Sequence, residues 1–356
     1  MLFAWNLSLL ACLAMPAASQ DISTQRPPAD DRIVVCNKVE NTVSIFAVAE
    51  RRELCVLATG VRPHEVAVAP DGRTAVVTNY GKRTAGGSLT IIDLVEQKVR
   101  KTIDFQIADS SKERSENVIF RPHGVCFNSD QSVVVTCETQ SQLVLVDVRT
   151  GNRKGVWRTP QQSMHLVTVT QDGLRAAASS FRDDSLVFFD LTTTNKRMPS
   201  MIKTGKGCEG LAIHPTTGNA WVCNRSANTV SIVSAKTGDT VKTLVTGDAP
   251  RRIAATADHK LMLVTCLGSG ELMVFDARKQ QLLFEASMHG DRSEQSSQPL
   301  NVVSGPDSRF AYVTCARGEF VAIVDLRSGQ YIDRIDARKG PDGIAYARPR
   351  TLPSKR

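Results

Sequence analysis

Three histidines occupy the same place in three successive segments of this 356-residue chain: His64 in Pro63-His64-Glu65, His123 in Pro122-His123-Gly124 and His165 in Met164-His165-Leu166. Four triplets of the same kind follow, Cys208-Glu209-Gly210, Pro250-Arg251-Arg252, Pro299-Leu300-Asn301 and Pro341-Asp342-Gly343, and each leads a run of alternating apolar residues. Read at the second residue, the series is His64, His123, His165, Glu209, Arg251, Leu300 and Asp342. If the segments close into a ring, Asp342 neighbours His64, and three imidazoles with two carboxylates form one arc. Neutral imidazoles converging on an axis are the ligand set of a copper, zinc or iron centre, with a carboxylate as ligand or orienting partner. The same residues suit general acid–base work, because histidine titrates near neutral pH and Glu209 or Asp342 can tune it.

A second chemistry lies in the cations. Lys82, Arg83, Arg182, Arg225 and Arg317 fall in loops after the second strand of a segment, and Arg251 with Arg252 leads another, so much of the formal charge of +8 gathers at one end. Such a field attracts an anionic small molecule, an acidic polysaccharide or protein, or single-stranded nucleic acid, the last with steep salt dependence. Only Tyr80 and Phe181 supply aromatic rings beside these loops, too few for a base-stacking platform. Glu138, Asp183, Asp184, Glu271 and Glu319 lie nearby as counter-charges, and a solvated basic rim with no dedicated partner accounts for the charge as well.

The elements that position these residues follow from the spacing. Four of the six intervals between lead triplets are 42 to 44 residues, and the two longer ones carry polar insertions at 106–121 and 287–298 that could lie over the site as lids. That period is the length of a four-stranded propeller blade. Each repeat reads as an inner strand, a turn such as Asp71-Gly72 or Asp172-Gly173, then a β-branched second strand ending in a polar pair such as Thr78-Asn79 or Thr136-Cys137. A third strand closes on Asp93, Asp147, Asp190, Asp276 or Asp325, and a more polar outer strand follows. Inner and second strands form a hairpin, so the lead triplets and the second-strand ends share one face around the channel mouth.

Six complete blades span about 63 to 337; the C-terminus supplies one inner strand (Gly343 to Tyr346) and the N-terminus the other three. The expected fold is therefore all-β, a seven-bladed propeller over 32–347 whose ring closes where the N-terminal strands pair with the C-terminal strand, with a basic tail at 348–356. Tyr312-Val313-Thr314-Cys315 and Val77-Thr78-Asn79-Tyr80, each following an Asp turn, resemble the YVTN-repeat seven-bladed propellers over nearly the whole chain. That family is similar in turn to the seven-bladed lactonases and to the propeller domain of nitrous oxide reductase. The resemblance implies fold more firmly than chemistry, because propellers host many functions. It also offers a plainer role for Pro-His, a recurrent variant of the repeat in which the imidazole caps neighbouring loop backbone.

Residues 1–19, with an apolar stretch at Leu9 to Ala14 and Ala17-Ala18-Ser19 before Gln20, read as an export signal, followed by a linker over 20–31. The expected location is periplasmic or secreted. Cys137, Cys266 and Cys315 fill equivalent second-strand ends, which suits buried free thiols better than a disulfide framework. Cys208 and Cys223 are the one pair placed for a disulfide across a hairpin. No Cys-x-x-Cys, Gly-x-Ser-x-Gly, Walker loop or His-Glu-x-x-His occurs. The expectation is an exported, monomeric binding module with no membrane span, using Arg251, Arg252, Arg225, Arg182, Arg317, Lys82, Arg83, Glu209 and Asp342 for an anionic ligand, or His64, His123 and His165 for a transition metal. The alternative is a lactonase-like or metal-dependent enzyme at the same mouth, with Arg251 polarising a carbonyl and His64 or Glu209 activating water.

Overall fold

The computed structural model describes residues 30–82, 87–104, 121–193, 199–288 and 297–348. The proposed export signal, Arg83 and most of both insertions lie outside the described residues. Seven four-stranded antiparallel sheets form the fold. Six are consecutive along the chain, and their inner strands are β4 (Pro63–Val68), β8 (Pro122–Ser129), β12 (Met164–Val169), β16 (Cys208–Ile213), β20 (Pro250–Ala255) and β24 (Pro299–Ser304). The blades they begin are numbered 1 to 6. Blade 7 combines the last strand, β28 (Pro341–Ala347), with β1 (Arg32–Asn37), β2 (Thr42–Ala47) and β3 (Arg52–Ala58), in the order β28-β1-β2-β3. Below the sheet, the Tyr346 hydroxyl and the Arg348 guanidinium both donate to buried Asp31, fastening the two ends.

Alternation of apolar side chains gives each sheet two buried faces, and those faces meet their neighbours rather than a central core. Seven apolar clusters result, one at each joint between adjacent blades. The joint between blades 7 and 1 packs Val34, Ile45 and Ala345 against Val66, Val77 and Ile92. The outer strands are polar and exposed, as in the alternation of Lys98–Asp104.

This two-faced burial decides the cysteines. Cys208 lies opposite Asn224, not Cys223, and packs in the joint between blades 3 and 4, whereas Cys223 packs in the joint between blades 4 and 5. The thiols therefore sit on opposite faces of one sheet, and the candidate Cys208–Cys223 disulfide does not form; all eight cysteines described are free. Among the described residues, no helix is long and apolar enough to cross a membrane.

Candidate functional site at the channel mouth

A bulge at the start of every inner strand builds the site. The first residue of each triplet is in register with the end of the second strand, as Pro63 with Asn79 and Met164 with Ser180, and the register then shifts before pairing resumes. An extra residue in one strand re-aims side chains that would otherwise alternate. Here it brings both the second and the third residue of a triplet to the channel, so His64 and Glu65, or Arg251 and Arg252, reach the same cluster.

In five of the seven blades a hydroxyl on the second strand holds the bulge. Thr78 accepts from the Glu65 amide at 3.1 Å and donates to the His123 carbonyl of the next blade at 2.7 Å. Thr136 does the same for Gly124 and the His165 carbonyl, and Ser179 for Leu166 and the Glu209 carbonyl. Thr265 and Thr314 repeat the pattern toward Leu300 and Asp342. The backbone of His123, His165, Glu209, Leu300 and Asp342 is thus fixed from the preceding blade, and each side chain projects from a rigid base.

Buried ion pairs fill the channel mouth. Arg252, 4% exposed, donates through Nη2 and Nε to Glu65 Oε1 at 2.5 and 3.1 Å, crossing the ring from blade 5 to blade 1. Its Nη1 lies 3.3 Å from Glu209 Oε1, and Asn301 donates to Glu65 Oε2 at 3.0 Å. Glu209, 1% exposed, also meets Arg251 at 2.9 Å and Arg225 at 3.5 Å. On the far side, Lys38 pairs with buried Asp342 at 2.7 Å. Burial alone would raise the carboxyls of Glu209 and Asp342. For Glu209 the His165 hydrogen bond and the charges of Arg251 and Arg252 outweigh it, and for Asp342 the adjacent His64 with the charges of Lys38 and Arg252 does, so both stay well below the usual range. Burial likewise lowers Arg252, but Glu65, Glu209 and Asp342 more than reverse that and hold it charged.

The three histidines form a column. Ring centroids of His64 and His123 are 4.2 Å apart, and those of His123 and His165 are 3.9 Å apart. Tyr80 meets His64 and His123 edge-on at 5.6 and 5.3 Å, while Phe181 lies 6.4 Å from His165. Asp342 bounds one end, its Oδ2 3.1 Å from His64 Nδ1, and Glu209 bounds the other, its Oε1 3.3 Å from His165 Nε2. Burial drives His64 and His123 well below the usual imidazole range; Asp342 opposes the shift at His64, and the neighbouring histidines and cations reinforce it at His123. Both rings are neutral near pH 7. The His123 Nδ1 and Arg251 Nε are buried without a hydrogen-bond partner, and so is His64 Nδ1, which is close to Asp342 but out of line with it.

Most of the residues expected from sequence therefore meet: His64, His123, His165, Glu209, Arg251, Arg252, Arg225 and Asp342 form one constellation. Lys82, Arg182 and Arg317 do not join it, because they are exposed on loops outside the bulges. Sequence reasoning missed Glu65, Lys38 and Asn301. Glu65 and Asn301 are third residues of their triplets, and the available signal was that the same position is Gly124, Gly210 and Gly343 elsewhere. A Cβ at Gly210 would fall 2.4 Å from the Arg251 carbonyl, and one at Gly343 2.4 Å from that of His64, so small and large third residues interlock around the ring.

For a metal, the donor atoms lying within 4.8 Å of one another among the described residues come from His64, Glu65 and Asp342. Both carboxylates already carry cations, Arg252 and Lys38, at hydrogen-bond distance, so an ion there would have to displace them. The remaining polar atoms without partners, on His123 and Arg251, suit a ligand that accepts and donates hydrogen bonds.

Neither a family model nor a curated protein matches the chain. Solved structures do. A functionally unknown protein from Desulfotomaculum acetoxidans is 13% identical, with a TM-score of 0.71 over 90% of this chain and 99% of that one. A protein from Bacteroides fragilis, provisionally named a 6-phosphogluconolactonase, is 16% identical, with a TM-score of 0.69 over 92% of this chain and all of that one. At such identities the likeness is one of fold, and this chain is a seven-bladed β-propeller.

Proposed function

We propose that this chain is an exported propeller of the YVTN type that binds a small anion at the mouth of its channel. The observation that carries the reading is Arg251. Its Nη1 pairs with Glu209 while its buried Nε has no partner, in a cluster whose cations outnumber its carboxylates. A buried guanidinium with a free donor gains most from an oxyanion that takes both an N–H and a charge. Calorimetric titration with acetate tests this. Saturable binding by the wild-type chain and its loss in Arg251→Ala are expected; equal binding by the variant would reject Arg251 as the anchor.

A second reading is lactone hydrolysis. It is favoured by the pairing of His165 with Glu209 beside Arg251, which sets a base with its orienting carboxylate next to a carbonyl-polarising cation. The provisional name of the Bacteroides fragilis protein makes 6-phosphogluconolactone and unphosphorylated gluconolactone the substrates to try. Hydrolysis above the spontaneous rate, abolished in His165→Ala, would establish catalysis, and a rate equal to the buffer blank would leave a binding module.

A further inference from the structure

The ion pairs at the mouth can be matched one to one. Lys38 answers Asp342 at 2.7 Å, Arg252 answers Glu65 at 2.5 Å and Arg251 answers Glu209 at 2.9 Å. Arg225 is left over. It reaches Glu209 Oε2 only at 3.5 Å, a carboxylate that already serves Arg251 and Arg252, and its guanidinium lies over the Phe181 ring at 5.8 Å. Next to the column, Arg121 and Glu138 both contact the Tyr80 hydroxyl, so they add one charge of each sign. His64 and His123 add none, since burial and the surrounding cations keep them neutral. Among these ion pairs the surplus is one positive charge, on Arg225.

The geometry points to a site that selects a singly charged oxyanion, such as a monocarboxylate, and discriminates against dianions. This rests on the anion-binding reading and deepens it to a ligand class. A monoanion neutralises the surplus of Arg225 and takes the open donor of Arg251. A second negative charge at the same depth would have no counter-ion, and an uncompensated charge away from water is expensive. The unpartnered Nδ1 of His123 gives such a ligand a neutral polar contact, as a hydroxyl next to the carboxylate would use. The exposed rim formed by Lys82, Arg182 and Arg317 makes the opposite prediction. A solvated basic patch ranks anions by charge, so it favours sulfate over nitrate.

The test is calorimetric titration of the full chain slightly above neutral pH, at constant ionic strength, with two pairs of probes: nitrate against sulfate, and acetate against malonate. Nitrate and acetate are expected to bind at least about tenfold more tightly than their divalent partners, the ratio that separates a matched from an unmatched buried charge. Glu65→Gln keeps an oxygen for the Arg252 donors, gives up the Asn301 contact and raises the surplus to two, and should move the preference toward sulfate and malonate by a similar factor. Should that variant fail to fold, Arg225→Gln removes the surplus and should abolish nitrate and acetate binding. Sulfate or malonate binding as tightly as its partner to the wild-type chain would overturn the selectivity and leave the anion-binding reading in place. Absence of binding by all four probes would overturn that reading, and the selectivity with it.

Discussion

Arg251 and Arg252 are adjacent and chemically identical, yet the bulge gives them different tasks. Arg252 is clamped by Glu65 and Glu209 and acts as a strut across the channel, whereas Arg251 keeps a free donor. Removing a partner from a buried pair leaves the other charge stranded, so Arg252→Met should cost about 3–5 kcal/mol of stability. Urea unfolding would measure it, and a loss within error would show that the strut is dispensable. Arg251→Ala, which leaves Glu209 with Arg252 and Arg225, should cost clearly less in the same experiment. The histidine column also predicts a pH dependence. The folded-state values of His64 and His123 lie below the unfolded one, so the unfolded chain binds more protons as pH falls. Stability is fully present above the unfolded imidazole pKa, about 6.5, and declines below it. The lowered values of Glu209 and Asp342 add a second decline in the range where unfolded carboxylates take up protons, near pH 4. The urea midpoint followed against pH should show the first decline in the wild-type chain and a shallower one in His123→Gln. Which residue type stands at each of these positions was legible in the sequence; which of two neighbouring arginines bridges Glu65 and Glu209 was not, because a bulge breaks the alternation from which facing is read.

At the scale of the strand, the second-strand hydroxyl was visible in sequence as the polar pair closing each β-branched run, and its purpose was not. Five blades use Thr or Ser to tie their own bulge to the next blade, while the equivalent residue is Cys36 in blade 7 and Cys223 in blade 4. Both of these blades carry Gly as third residue, Gly343 and Gly210, and both precede a blade whose third residue is charged, Glu65 and Arg252. The two joints that lack a hydroxyl tie are thus flanked by the residues that form the strut. Thr314→Val should cost about 1–3 kcal/mol by leaving the Asn301 amide and the Asp342 carbonyl without their partner. Cys36→Ser, which places a hydroxyl at the position that ties the next blade elsewhere in the ring, should gain about 0.5–1.5 kcal/mol. Thermal unfolding of both variants checks the idea, and a destabilised Cys36→Ser would count against it. A related device could be read from sequence alone. Asn37, Asn79 and Asn224 each donate to two hydroxyls on the third strand, and where the second strand ends in Cys315 those partners are replaced by Phe320 and Ala322.

For the whole molecule, the joints between blades carry the stability, since each apolar cluster is shared by two sheets. Blade 7 takes one strand from the far end of the chain, and that strand also supplies Asp342 to the site. Deleting residues 341–356 removes the inner strand, opens the edge of β1 and exposes the joints on both sides, so the product should aggregate or lose its cooperative melting transition. A soluble truncation that melts like the parent would show that the ring does not need its seventh inner strand. By itself the sequence determined the architecture and the ring of second triplet residues, because both are periodic: a repeat of about 42 residues fixes the blade, and equivalent positions in successive blades must face one channel. The tertiary structure alone decided depth, pairing and charge balance. Glu65 and Arg252 lie 187 residues apart, and Lys38 and Asp342 lie 304 apart. No local pattern records such distances, since they arise only when the ring closes and water leaves the channel mouth.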